Sequence, residues 1–376
     1  MKNKFIMFMI VFGIMNLSSV IHAEYAYPPL LGDSFKGYNR FLKTNSCPNC
    51  FVPGITLMVE SRPRANLQGA VMFNSSLVLS VLNNSNLSHA NLENAWMHAA
   101  HINVSNFSCA NLTNVVAEDA FLVNCVFDCA ILDSATFHSV NMSKSRFVKT
   151  SMLNTNLANA TLTLTQFKNA DLTGSTLNGA NFSNSKVFHS NFTDASMKKV
   201  KAKQANFTGS TFFRTKLYEA VFTRSNLTST NFTRALMYRF MGDYCNFTNA
   251  NLTYAELIDA DLQFSNFKGA TTEHANFTGA ILLGATNFEP AESAILCQTI
   301  MPDGSANNSG CHRIDQYLKD LVEIDNLESE SAGHALHIRP DFQTASTKQL
   351  ESMTQASEGK YSNGTMPAFD PIVKPS

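Results

Sequence analysis

The sequence predicts a solenoid made of one short unit repeated end to end, and three observations predict it. Apolar residues recur every fifth position at Leu67, Met72, Leu77, Leu82, Leu87 and Leu92, and the register runs on through Phe127, Phe167, Phe207, Phe247 and Phe277 to Leu282 without insertion or deletion. The residue two before each centre is nearly always small, as at Ala90, Ala110, Ala130, Ala160, Ala180 and Ala250. The chain also carries 29 Phe but one Trp, and it is 44% hydrophobic yet only 15% charged. One kind of apolar slot is therefore filled again and again, while Asn, Ser and Thr stand where charges usually do. A period of five matches neither the helix (3.6) nor the strand (2), so it marks a repeat architecture.

Units of the form A-[DN]-[LF]-x-x resemble the pentapeptide-repeat family over roughly residues 65–285. That resemblance implies an all-β fold, a right-handed quadrilateral β-helix in which four units make one square coil. The centre and the small residue then face inward and the other three face solvent. Residues 65–285 make about 11 coils, and at ~4.8 Å between stacked strands the rod is roughly 50 Å long. Both end coils of such a stack are open edges, so N- and C-terminal caps are expected.

Taken in order, residues 1–23 read as a secretory signal peptide. Lys2 and Lys4 supply the positive start, Phe5 to Leu17 the apolar run, and Ile21-His22-Ala23 the small-residue cleavage site. The expected product is a bacterial protein of the periplasm or medium, starting near Glu24. That compartment is oxidising, which makes the eight cysteines disulfide candidates. Residues 24–64 are assigned to an N-terminal cap holding Cys47-Pro48-Asn49-Cys50. Alone, C-x-x-C is a redox motif or half a zinc site, but no second pair follows and no βαβ pattern surrounds it. Pentapeptide-repeat proteins show a similar T-x-x-C-P-x-C lead, which implies a capping element with a tight disulfide.

Within the coils, Ala117, Ala202, Gly242 and Thr272 are weak centres, and Phe240 stands where a small residue belongs. A bulge or an exchange of inward residues is expected around Phe240-Met241-Gly242. Cys109 and Cys129 lie one coil apart at the same outward turn position, so their Cα atoms fall ~5 Å apart, inside the disulfide window. Oxidised and reduced states are both open to them. Cys125 and Cys245 occupy inward small slots and are expected to be buried and inert. Residues 286–312 carry Cys297-Gln298-Thr299-Ile300-Met301-Pro302-Asp303-Gly304 and end on Ser309-Gly310-Cys311. This resembles the C-x-T-x-M-P-D-G and N-x-S-G-C ending of exported family members, and it implies a loop pinned over the last coil by Cys297 and Cys311. Residues 313–376 are assigned a short helix from Arg313 to Glu323, then a Ser-, Glu-, Gln-, Gly- and Pro-rich disordered tail.

Stacking converts sequence into surface columns, because residues twenty apart share a face. His98, Glu118 and His138 form one such column, the single candidate for a divalent metal; no fourth ligand accompanies it, and a hydrogen-bonded polar ladder is the ordinary reading. Lys144, Arg146, Lys149, Lys168, Lys186, Lys201, Lys203 and Arg224 make a basic stripe on two adjoining sides, open to an anionic polymer or simply solvated. The net charge of −1 gives no global attraction to nucleic acid. No G-x-S-x-G elbow, phosphate-cradling glycine loop or H-E-x-x-H is present. The many Asn-x-Ser/Thr triplets follow from the repeat template.

The expected function is non-enzymatic: an exported scaffold presenting flat faces to a macromolecule, a protein or a component of the envelope or host surface. No cofactor and no small-molecule substrate are expected. The resemblance also opens the family's DNA-mimicking branch, which binds DNA gyrase; that branch is cytosolic and strongly acidic, and this chain departs from it on both counts. A metal or thiol redox enzyme using Cys47 and Cys50 or the His98 column is the third reading.

Overall fold

The computed structural model describes residues 33–313. They fold as a right-handed quadrilateral β-helix covered at its start by one α-helix. Residues 1–32, with the segment 1–23 read above as a signal peptide, and residues 314–376, with the expected helix to Glu323 and the tail, lie outside the described residues.

The coil ladder is parallel and has a spacing of twenty residues. It starts at Ser46↔Asn66 and continues through Asn266↔Thr286. The stack thus begins nearly one coil before the boundary expected at residue 65. Cys47, Val52, Leu57 and Arg62 are the inward centres of that first coil, and they mark the first, second, third and fourth faces. Most units contribute an isolated bridge; β1 (Arg146–Val148), β2 (Gln166–Lys168) and β3 (Lys186–Phe188) extend into true parallel strands on the first face.

Most corners are four-residue turns closed by a bond from the small residue's N–H to the centre's carbonyl, as from Ala110 to Phe107 (3.0 Å) and Ala260 to Leu257 (3.1 Å). The third turn residue has positive φ around the whole rod, for example 57° at His89 and 54° at Glu219. This is the type II turn requirement, met here mostly by non-glycine residues. Where the position is Gly209, the imidazole of His189 one coil earlier fills the space a Cβ would take, 2.3 Å from it.

The interior is mostly apolar and ordered in columns. Phe107, Phe127, Phe147 and Phe167 stack along the first face with ring centroids 5.0, 5.1 and 4.4 Å apart. Phe192, Phe212 and Phe232 do the same along the second at 5.0 and 4.9 Å. All are fully buried, and each contributes about 1.5–3 kcal/mol by leaving water. One inner corner holds hydroxyls instead. Ser145 accepts from Cys125 N (2.9 Å) and donates to Leu122 O (2.8 Å), and Ser185 and Ser225 repeat the pattern. Each hydroxyl satisfies a backbone N–H and a carbonyl that the narrowed corner leaves unpaired.

At Phe240 the fold makes an exchange and no bulge. The ladder Val221↔Met241↔Asp261 keeps its twenty-residue step. The Phe240 ring is buried over Gly242, 2.6 Å from where a Cβ would stand, so the large side chain in the small slot is matched by the missing one at the centre.

Both ends are covered. Helix α1 (Asp33–Thr44) lays Phe41 onto the first coil, Cys47 Sγ packs against Gly37 O, and Tyr38 donates to Thr56 O at 3.0 Å. Arg62 donates to Leu42 O (2.8 Å), placing a cation at the helix C-terminus where carbonyls are unpaired. At the far end the step shortens to nineteen residues, at Asn276↔Ile295 and Ile281↔Ile300. Phe288 closes the Phe column edge-on, 5.2 Å from both Phe267 and Phe277. The antiparallel pair β4 (Thr299–Ile300) and β5 (Ala306–Asn307) follows, joined through Pro302-Asp303-Gly304.

Candidate interaction faces

The cysteines occupy three kinds of place. Cys47 and Cys50 are disulfide-bonded inside the first coil, with Cα atoms 5.4 Å apart; the motif is part of the stack, beneath α1. Cys297 and Cys311 are joined across the terminal loop, and Cys109 and Cys129 across two coils, each with Cα atoms 4.6 Å apart. Cys125 and Cys245 are free and buried, and burial pushes both thiols up to about 12. Each donates its S–H to a carbonyl in the hydroxyl corner, Cys125 to Ile102 O and Cys245 to Phe222 O. They stand in for serine there, and a thiol at that pKa is a poor nucleophile.

The His98–Glu118–His138 column comes together as a ladder. His98 Nδ1 lies 4.0 Å from Glu118, while His138 turns its two ring nitrogens to Ser139 (3.2 Å) and Asn159 (3.3 Å). Among the described residues no group of three His, Cys, Asp or Glu side chains is arranged to hold a metal ion. The Asn-x-Ser/Thr triplets are also structural. Thr208 and Thr248 each donate to the Asn Oδ1 two residues earlier at 2.6 Å, and that oxygen also accepts their backbone N–H.

The basic stripe divides by face. Arg146, Lys149, Lys168 and Lys186 lie on the first face, where Arg146 is paired with Asp128. Lys144, Lys201, Lys203 and Arg224 lie exposed on the fourth, outside any ion pair among the described residues. Asp133, Asp171 and Asp194 lie on the second face and Glu219 and Glu256 on the third, while the fourth carries Asp243 and Asp261 in its later coils.

Two features carry no signal in the repeat pattern. Glu256 stands at an outward bridge position yet is 3% exposed, and it accepts a hydrogen bond from the Tyr238 phenol. Burial pushes its carboxyl up to about 7, against the lowering effect of that phenol. The fourth face also collects exposed apolar groups. Met241, Ile281 and Leu283 lie there, and at its corner Arg224 sits over the Tyr244 ring (5.4 Å), which stacks on Phe264 (5.0 Å). A face-by-face reading of the sequence could have found the apolar groups, because Met241 and Ile281, Tyr244 and Phe264, and Leu283 stand in three outward columns of that one face.

Comparison with known proteins agrees with this geometry. The family described as pentapeptide repeats matches in eight copies, over segments that begin at residue 64 and end at residue 284. No curated protein matches the chain. Among solved structures it is similar to HetL, a pentapeptide repeat protein involved in heterocyst differentiation regulation from the cyanobacterium Nostoc sp. strain PCC 7120, at 23% identity over 72% of this chain and 97% of that one, with a TM-score of 0.22. It is similar to full-length QnrB1, a plasmid-mediated fluoroquinolone resistance protein, at 17% identity over 60% of this chain and 99% of that one, with a TM-score of 0.22. Rfr23 from the cyanobacterium Cyanothece 51142 matches at 18% identity over 47% of this chain and 97% of that one, with a TM-score of 0.18. With an unbroken five-residue register, a twenty-residue ladder and a family match across most of the coil region, the chain belongs to the pentapeptide-repeat family.

Proposed function

We propose that the chain is an exported, non-enzymatic interaction scaffold whose flat β-helix faces hold a macromolecular partner, a protein foremost. The observation that carries this reading is the clustering, on the fourth face and its corner, of most of the exposed apolar groups among the described residues beside Lys144, Lys201, Lys203 and Arg224. A rod with a filled interior offers long planar faces to a partner. Pentapeptide-repeat proteins are in general structural or interaction modules, which agrees with this reading. Three disulfides, one of them open to solvent at a corner, suit an oxidising compartment such as the periplasm or medium.

The test is fractionation of the native cell, followed by cross-linking of the intact protein and identification of what it captures. A cleaved, disulfide-bonded form in periplasm or medium, cross-linked to one recurrent protein, is the expected result. An uncleaved, reduced form in the cytosol would sink the export reading. Turnover of any substrate that depends on Cys47 or His98 would sink the scaffold reading.

A further inference from the structure

The four faces are unequal in a way that identifies one occupant. Among the described residues, twelve large apolar side chains are exposed. Phe35 is on the helix, Phe51 and Ile131 on the second face, and Val59 at the corner of the third. The remaining eight belong to the fourth face and its corner. Val104 and Phe121 sit toward its start and Leu164 between the clusters, while Met241, Tyr244, Phe264, Ile281 and Leu283 fill its last three coils, each between 38% and 52% exposed. Between the two clusters stand Lys144, Lys201, Lys203 and Arg224, and no Asp or Glu occupies an outward position of this face between Arg64 and Asp243.

Exposed apolar groups beside unpaired cations on a flat surface suit two occupants, another protein surface or a lipid headgroup layer. Charge decides against a second copy of the chain. A two-fold contact across this face would lay the basic middle against itself, and like charges juxtaposed at an interface oppose association. An anionic bilayer complements the basic middle by charge and the last coils by their apolar side chains, among which Asp243 and Asp261 accept hydrogen bonds from Thr223 and Gln263. Lysines meet lipid phosphates, and Tyr, Phe and aliphatic side chains enter the headgroup–acyl boundary, as on interfacial helices.

We propose that the fourth face docks on an anionic lipid bilayer, with Lys144, Lys201, Lys203 and Arg224 on the headgroups and the Met241–Leu283 cluster in the boundary layer. This goes beyond the scaffold reading, because it leaves the other faces for protein partners and needs neither export nor any particular protein.

The full chain is floated with phosphatidylcholine vesicles and with vesicles containing phosphatidylglycerol. Flotation is expected with the anionic vesicles, weakening as salt rises and shortens the range of surface charge. Lys201→Glu with Lys203→Glu should lower partitioning about tenfold or more, and Phe264→Ser with Leu283→Ser should lower it as well. Thermal melts of both double variants report that they are folded. Phe264→Trp adds a readout specific to this face: its added emission should move to the blue on anionic vesicles and be quenched by brominated lipid. Binding that ignores both double variants, or an added indole that stays in water on bound vesicles, overturns the proposal. A dimer in the absence of lipid that Phe264→Ser dissolves, or capture of DNA or heparin without vesicle binding, overturns it equally.

Discussion

Glu256 shows how one residue can make a rod sensitive to pH. Its folded carboxyl titrates near 7, well above an unfolded carboxyl, because burial disfavours its charge. Between those two values the folded state holds a proton that the unfolded chain has lost, so stability falls as pH rises from about 5 to about 7 and is flat above. The full swing is of order 3 kcal/mol. Glu256→Gln should flatten this slope, seen as melting temperatures that no longer fall across that range; a variant that keeps the slope assigns it to another group. Cys125 and Cys245 lead to a second expectation. With thiols raised to about 12 and no access to solvent, neither should take up iodoacetamide at pH 8 in the native protein, and both should in denaturant, as read by intact mass. The place of both cysteines in the small slots is legible in sequence. The burial of Glu256 is not, because its position in the repeat faces outward.

The single coil is the next scale, and its rule is that volume is shared between the small slot and the centre. Phe240 and Gly242 break the pattern together and satisfy it together. Phe240→Ala should cost about 3–5 kcal/mol, since nothing else fills the space over Gly242. Gly242→Leu alone should cost about 1–3 kcal/mol by driving a side chain into the ring. The double variant restores the ordinary unit, and it should recover about 2 kcal/mol or more of the summed loss; additive losses in chemical denaturation would refute the exchange. Ser145→Ala tests the hydroxyl corner. It leaves Cys125 N and Leu122 O without the partner that serves them and should cost about 1–3 kcal/mol. The exchange was legible as two irregular residues two apart, although sequence left a bulge equally open. The start of the stack was obscured because Glu60 and Arg62 occupy inward positions of the first coil. They do so at the end of the stack beneath α1, where Arg62 can reach the carbonyl of Leu42 and keep its charge.

At the scale of the whole molecule, each added coil repeats the same contacts, so the ends decide whether the rod stays single. Cys297→Ser with Cys311→Ser opens the terminal loop, for which chain entropy predicts a loss of about 3 kcal/mol. The uncovered coil then offers free backbone groups to a neighbour. Light scattering should detect concentration-dependent assembly in that variant and not in the parent; a monomeric variant would assign the covering role to Phe288 and the β4–β5 pair. The overall architecture was the most legible feature of all, since a register held from Leu67 to Leu282 leaves no other arrangement. The apolar side of the rod was hidden for the opposite reason. Met241, Phe264 and Leu283 lie far apart in sequence, and only the square cross-section brings them together.

The twenty-residue ladder also acts as a reading frame for surface chemistry. Removing one five-residue unit between Arg224 and Met241 would preserve every inward slot, yet swing all later coils by a quarter turn. Tyr244 and Phe264 would then leave the side that bears Lys201 and Lys203, with their own chemistry unaltered. Removing one whole coil of four units between Lys203 and Tyr244, such as residues 205–224, would instead keep them in line on a shorter rod. Point substitutions can change what a face contains, but only insertions and deletions counted in units of five can change which residues share it.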